Sequence, residues 1–185
     1  MKIFTGSPSI PKKKRFNFYL DKAKNKKWLT SNGILLRLLK KRIEKRLKTK
    51  NIVFVTSGTV GLILALRVLG VKRNVVTTPF TFVATANAAK FLSLNVKFSD
   101  ITKSNLNLDY NKINFNKLTK KDAIIPVHSF GIPVDIRKFD KKGKKTNIIY
   151  DAAHCFDIKF QKKSILNYGD ASVLSLQATK VFNTC

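Results

Sequence analysis

The chain has 185 residues, 44% of them hydrophobic and 14 of them phenylalanine, which is enough to bury a core and excludes a disordered tail. It carries 37 Lys+Arg against 10 Asp+Glu, a formal net charge of +27. Two cysteines, Cys155 and Cys185, are too few for a disulfide framework and lack metal-ligand spacing, which argues against a disulfide-stapled secreted domain. No apolar run follows the first lysine, and the longest greasy segment, Val60 to Val71, contains Arg67 and is too short to span a bilayer. A cytoplasmic protein is expected. The charge invites nucleic acid, membrane headgroups or a phosphorylated small molecule as partner. The lysines look scattered, however, and Asn, Ile and Phe are abundant with them. We therefore assign the charge to compositional bias and expect neither a nucleic-acid nor a membrane partner.

Residues 1–28 are polar and basic, with Pro8 and Pro11, and read as an N-terminal arm. Ser31 or Asn32 is placed to cap a helix in which Leu36, Leu39, Ile43 and Leu47 recur at helical spacing. Ile52 to Val55 reads as a short strand, and Thr56-Ser57-Gly58-Thr59 turns it into a helix, Val60 to Leu69, apolar nearly all round and so expected to be buried. A strand from Asn74 to Thr78 leads through Pro79-Phe80-Thr81-Phe82 to a helix ending near Phe91. Val96 to Ser99 is a further strand, followed by a polar loop and a weakly patterned helix near 111–118. Ala123 to Val127 is a strand whose run-out holds His128, Ser129 and Gly131. Asp135 to Lys142 is a short helix stopped by Gly143. Asn147 to Tyr150 is a strand ending on Asp151-Ala152-Ala153-His154, a hairpin is expected around Gln161-Lys162-Lys163, and Ala171 to Leu176 is the last strand.

Short apolar strands alternating with helical segments predict an α/β fold with a mostly parallel sheet, whose ligands bind beyond the carboxyl ends of the strands. The polar groups of interest gather at those ends: Ser57, Gly58, Thr59, Phe82, Asp151, His154, Ser175 and Lys180. The turn into the second helix offers free N–H groups and two hydroxyls to an anion, although simple capping by Ser57 or Thr59 explains those residues equally well. Phe82 is placed either to stack on a flat ring or to fill the core. Lys180 is one of 30 lysines, and its neighbours single it out. An anion cradle, an aromatic, a carboxylate and a strand-end amine together suit pyridoxal 5'-phosphate. Asp151 would pair with the ring nitrogen, and Lys180 would hold the aldehyde as a Schiff base and shuttle a proton.

Several motifs then recur in order: Ser57-Gly58-Thr59, Pro79 to Thr85, Pro126 to Gly131, Asp151 to His154, Gly169-Asp170 and Ala178-Thr179-Lys180, with Trp28-Leu29-Thr30 and Asn105 to Asp109 beside them. With these the chain resembles the DegT/DnrJ/EryC1/StrS sugar aminotransferases of the aspartate-aminotransferase fold. The resemblance implies a three-layer α/β/α large domain over residues 29–185. It also implies transfer of an amino group, usually from glutamate, to a keto group on a nucleotide-diphosphate sugar, by a homodimer, in surface polysaccharide or amino-sugar biosynthesis. It assigns Lys180 the Schiff-base role and Asp151 the pyridinium partner. Phe82 would be the stacking aromatic, Gly58, Thr59 and Ser175 phosphate contacts, and His154 a residue near the ring.

Two departures stand out. Gln177 replaces a histidine frequent in the family, a neutral group of similar reach. The family also continues past the position of Cys185 with a Gly-Gly turn, an inner antiparallel strand and a C-terminal small domain. The chain therefore reads as an incomplete, truncated family member with two unpaired sheet edges, at Ile52–Val55 and Ala171–Leu176. Each buried unpaired backbone group costs ~1–3 kcal/mol against a total stability of ~5–15 kcal/mol. A chain that is unstable or inactive on its own is the expectation. An inactive remnant and, behind it, a basic nucleic-acid-binding protein are the competing readings.

Overall fold

A computed structural model describes residues 8–142 and 145–184. The chain divides into two compact units, one of them Phe54–Ser175 and the other comprising the residues up to Val53 together with those from Leu176.

The larger unit holds a five-stranded parallel sheet in the order β2-β1-β3-β4-β7. Its strands are β1 (Asn74–Thr77), β2 (Asn95–Phe98), β3 (Ala123–Ile124), β4 (Asn147–Asp151) and β7 (Ala171–Val173). The register pairs Val75 with Ala123, Ala123 with Asn147, and Ile149 with Ala171. Side chains alternate between faces along a strand, and both faces here are apolar. Val75, Ala123, Ile125, Ile149 and Val173 join Leu62 and Leu66 of α3 (Gly58–Val68) and Ala88 and Ala89 of α4 (Ala84–Phe91) in one core. Val76, Ile124, Ile148 and Tyr150 point the other way, into a core with Ile136 and Phe139 of α5 (Ile136–Lys142). The result is the expected three-layer arrangement. Gly61 lets α3 lie close to the sheet, because a Cβ there would meet Val173 Cγ1 at 2.9 Å.

A brace sits where β1 and β3 begin. Asp122 is fully buried and accepts from the Arg73 guanidinium at 3.3 and 3.0 Å, from the Asn74 amide groups, and from Thr119. Burial pushes its carboxyl up, but these donors outweigh burial and hold it well below the usual carboxylate range. Between the last sheet strands, β5 (Lys159–Phe160) and β6 (Lys163–Ser164) form the expected hairpin. Gln161 and Lys162 both take positive φ, +48° and +64°, as a two-residue turn matching strand twist requires.

Several expectations are corrected. Ile52–Val55 joins no sheet among the described residues, since a strand exists only where a neighbour takes its ladder bonds. Residues 110–118 form two short 3-10 turns, Tyr110–Lys112 and Phe115–Lys117, rather than a helix. The helix α3 is buried along Leu62 and Leu66 only, while Leu64 and Val68 face outward, because it rests on the sheet from one side. The last strand stops at Val173. Gly143 lies outside the described residues.

In the other unit, α1 (Lys13–Asn25) makes a helix of a segment read as an arm, and α2 (Ile34–Leu47) follows the predicted periodicity. Its cap position is Gly33, so neither Ser31 nor Asn32 caps it. Ala23, Ile43 and Leu47 are buried.

Candidate functional site

The candidate residues lie beyond the carboxyl ends of β4 and β7, at the start of α3, just before and within α4, and in the loop after β3. Asp151 ends β4 with its side chain 8% exposed as a residue. Its Oδ2 accepts from Thr85 Oγ1 at 2.8 Å, and its Oδ1 accepts from the Ala153 amide at 3.2 Å. Thr85 is buried in α4, and its hydroxyl is 3.0 Å from that of Thr81. Main-chain bonds fix the strand end, with His128 N donating to Asp151 O and Asp151 N donating to Pro126 O, each at 3.0 Å. Among the described residues no cation pairs with Asp151.

At the start of α3, Ser57 caps the helix by accepting from Val60 N at 3.2 Å, and Ser57 O accepts from Gly61 N. Capping thus employs the Ser57 hydroxyl, while the amides of Gly58 and Thr59, at the first turn, have no acceptor within the helix. A Cβ built on Gly58 would meet nothing within 4 Å, so the space beside this turn is open. Phe82 is 76% exposed, which removes the reading of it as core. Ser175 is half-buried just past β7.

The loop after β3 supplies residues the sequence reading gave no role. Phe130 adopts a left-handed conformation, φ +55°, that holds its exposed ring nearly parallel to His154 at 6.5 Å and edge-on to Phe80 at 6.2 Å. Gly131 (φ +81°) passes so near His154 that a Cβ would lie 3.2 Å from its carbonyl oxygen. Buried Asn107 secures the same loop, accepting from Ser129 N and donating to Ile132 O, which accounts for the Asn105 to Asp109 motif. Behind it, His128 is buried and stacked on Tyr150 at 4.9 Å, and burial pushes its imidazole down to about 3. Its Nδ1 accepts from Val134 N, so the proton of the neutral ring resides on Nε2, which has no partner among the described residues. Cys155 is buried, and burial, then the Asp151 charge, push its thiol up to about 12, which suits packing rather than nucleophilic attack.

Ser57, Gly58, Thr59, Phe82, Asp151, His154 and Ser175 all belong to the Phe54–Ser175 unit. Lys180 belongs to the other unit, half-buried in a turn where its amide donates to Gln177 O at 2.9 Å. Sequence reasoning missed Thr85 as the partner of Asp151, although it closes the Pro79 to Thr85 motif. A hydroxyl on a predicted helix gives no sign of the strand it will face.

Comparison with known proteins agrees with this architecture. The chain is 39% identical over 184 residues to a dTDP-4-amino-4,6-dideoxy-D-glucose transaminase of Shigella dysenteriae, covering 98% of this chain and 50% of the relative. A transaminase of the same name from Escherichia coli is 36% identical over 83% of this chain and 42% of its own length. The chain thus spans about half the length of the curated relatives it matches. Its backbone matches that of DesI, whose crystal structure was determined in the presence of its TDP-sugar product, with a TM-score of 0.90 and 27% identity over 97% of this chain and 46% of that one. The Helicobacter pylori aminotransferase PseC shares the fold at a TM-score of 0.83. A family model matches from residue 11 to residue 185, across the two units and every motif named above, and the chain belongs to the DegT/DnrJ/EryC1/StrS aminotransferase family.

Proposed function

We propose that this chain provides the cofactor-holding part of a pyridoxal-phosphate-dependent transaminase that moves an amino group, from glutamate, to a keto group of a nucleotide-linked sugar. The observation that carries the reading is Asp151, a buried carboxylate fixed at both oxygens with no cation beside it among the described residues. A protonated ring nitrogen would give this carboxylate the counter-charge that the described residues do not supply. The other residues suit the same group: two spare amides and an open space at the start of α3 for a phosphate, and exposed Phe82 for a ring face.

When bound, pyridoxal phosphate supplies an aldehyde and an electron-withdrawing ring that stabilises charge on the carbon beside the amino nitrogen. Asp151 would keep the ring nitrogen protonated, and Thr85, itself held by Thr81, fixes the carboxylate. The amides of Gly58 and Thr59, with Ser57 and Ser175, would hold the phosphate, while Phe82 and His154 would border the ring. Lys180 would hold the cofactor through Nζ and would be the base that takes up and returns a proton. Likeness to two transaminases named for a dTDP-linked amino sugar supports the substrate class. The reading includes a homodimer working in the cytoplasm.

Adding pyridoxal phosphate to the purified chain is expected to produce a visible absorbance band and, after borohydride, a stable adduct on the Lys180 peptide. Lys180→Ala removes both. Asp151→Ala and Thr85→Val weaken binding by about tenfold or more, as expected for hydrogen bonds to a charged group. A folded chain that yields neither band nor adduct overturns the reading and leaves an inactive remnant.

A further inference from the structure

The positive charge is unevenly placed. Residues 8–53 hold sixteen lysines and arginines against two acids, Asp21 and Glu44, whereas residues 54–185 hold twenty against eight. A quarter of the chain thus carries about half of the net charge, which uniform compositional bias does not produce. The helix α1 has Lys13, Lys14 and Arg15 in its first turn and Lys22 and Lys24 in its last, with neither an acid nor a side-chain cap at its start. Lys14, Phe18 and Lys22 follow at intervals of four, which places them along one exposed stripe.

Bulky apolar side chains stand exposed among these charges: Ile10 at 81%, Phe18 at 61%, Leu29 at 69%, and Phe16. Two other aromatics of this unit already have cationic neighbours, Trp28 beneath Arg37 at 4.4 Å and Tyr19 beneath Arg42 at 5.3 Å. A surface that presents ammonium groups and hydrocarbon together matches the boundary between anionic headgroups and acyl chains. Nucleic acid could stack on Phe16 and Phe18 but fits less well, because the two most exposed of these side chains, Ile10 and Leu29, offer a base no ring. A second copy of the same face fits least, since it sets like charge against like.

We propose that α1 and its flanks dock the protein on an anionic lipid bilayer, lysines and arginines at the phosphates and Phe18, Ile10 and Leu29 in the headgroup boundary. This revises the expectation of no membrane partner. It concerns docking on a surface, as no helix among the described residues is long and apolar enough to cross a membrane.

The test is co-sedimentation of the full chain with vesicles of phosphatidylcholine alone or mixed with phosphatidylglycerol. Binding is expected only to the mixed vesicles and should fall steeply with added salt. The triple variant Lys13→Ala, Lys14→Ala, Arg15→Ala, which favours the helix by propensity, is expected to lower partitioning by about 100-fold. Phe18→Ala is expected to lower it by about tenfold. Circular dichroism of each variant verifies that α1 still forms. Failure to bind mixed vesicles, equal binding to both kinds, or indifference to the triple variant overturns the proposal. So does tighter binding to a single-stranded oligonucleotide that Phe18→Ala leaves unchanged, or self-association that accounts for all sedimentation.

Discussion

His128 shows how one residue serves the site without touching it. Its ring is buried, neutral and stacked on Tyr150, whose hydroxyl donates to Asp140, and its Nδ1 secures Val134 at the far end of the loop bearing Phe130. Because burial lowers its folded pKa from 6.5 to about 3, the unfolded chain binds more protons than the folded one between those values. Its contribution to stability is therefore whole above pH 6.5 and is lost as pH falls toward 3, with a slope of up to about 1.4 kcal/mol per pH unit. Thermal unfolding between pH 7.5 and pH 4.5 is expected to show this loss, and His128→Phe is expected to flatten it. An equal slope in both proteins would refute the assignment. The sequence placed His128 at a strand end but gave no sign of its burial, because only the packed Tyr150 creates that environment.

Elements were legible where local pattern and tertiary demand coincide. The strands β1 and β4 are apolar runs bounded by polar residues, and a parallel sheet covered on both faces calls for that pattern. Ile52–Val55 has the same composition and makes no ladder, because composition states a willingness to pair and cannot supply the neighbour. Residues 110–118 lacked a clear helical period, and their chain settled for two single turns. The hairpin between β5 and β6 was legible from alternation alone, yet its turn is built from poor residues. Gln161 and Lys162 both occupy the left-handed region that disfavours a Cβ. Lys162→Gly is accordingly expected to stabilise the protein by about 1 kcal/mol, measured as a higher midpoint in urea with an unchanged slope. A lower midpoint would show that the Lys162 side chain matters more than backbone strain.

At the scale of the molecule, the parallel sheet and its two apolar faces explain why the fold could be anticipated from spacing, and why the site could be anticipated only in part. Ser57, Gly58, Phe82 and Asp151 lie at element ends, where sequence motifs and strand topology point to the same edge. Thr85, Asn107 and Phe130 act through contacts between segments distant in sequence, to which local pattern is blind. The distribution of charge was likewise hidden: a count over the whole chain conceals its concentration in residues 8–53. This asymmetry bears on stability, since exposed like charges repel and salt screens them beyond about 10 Å at 0.1 M. Hydrogen exchange is expected to slow in α1 and α2 as salt rises from about 0.02 M to about 0.5 M, with β1 and β4 unchanged. Equal protection of the helices at both concentrations would count against strong self-repulsion.

The bare start of α1 gives that repulsion a direction. Three cations crowd the positive end of a peptide dipole with no acid or cap to neutralise it, so the helix should fray from its first turn while its last turn, also basic, is favoured. In dilute buffer this end is therefore expected to unwind first, and a polyanion that neutralises it is expected to raise its helicity, measured by circular dichroism.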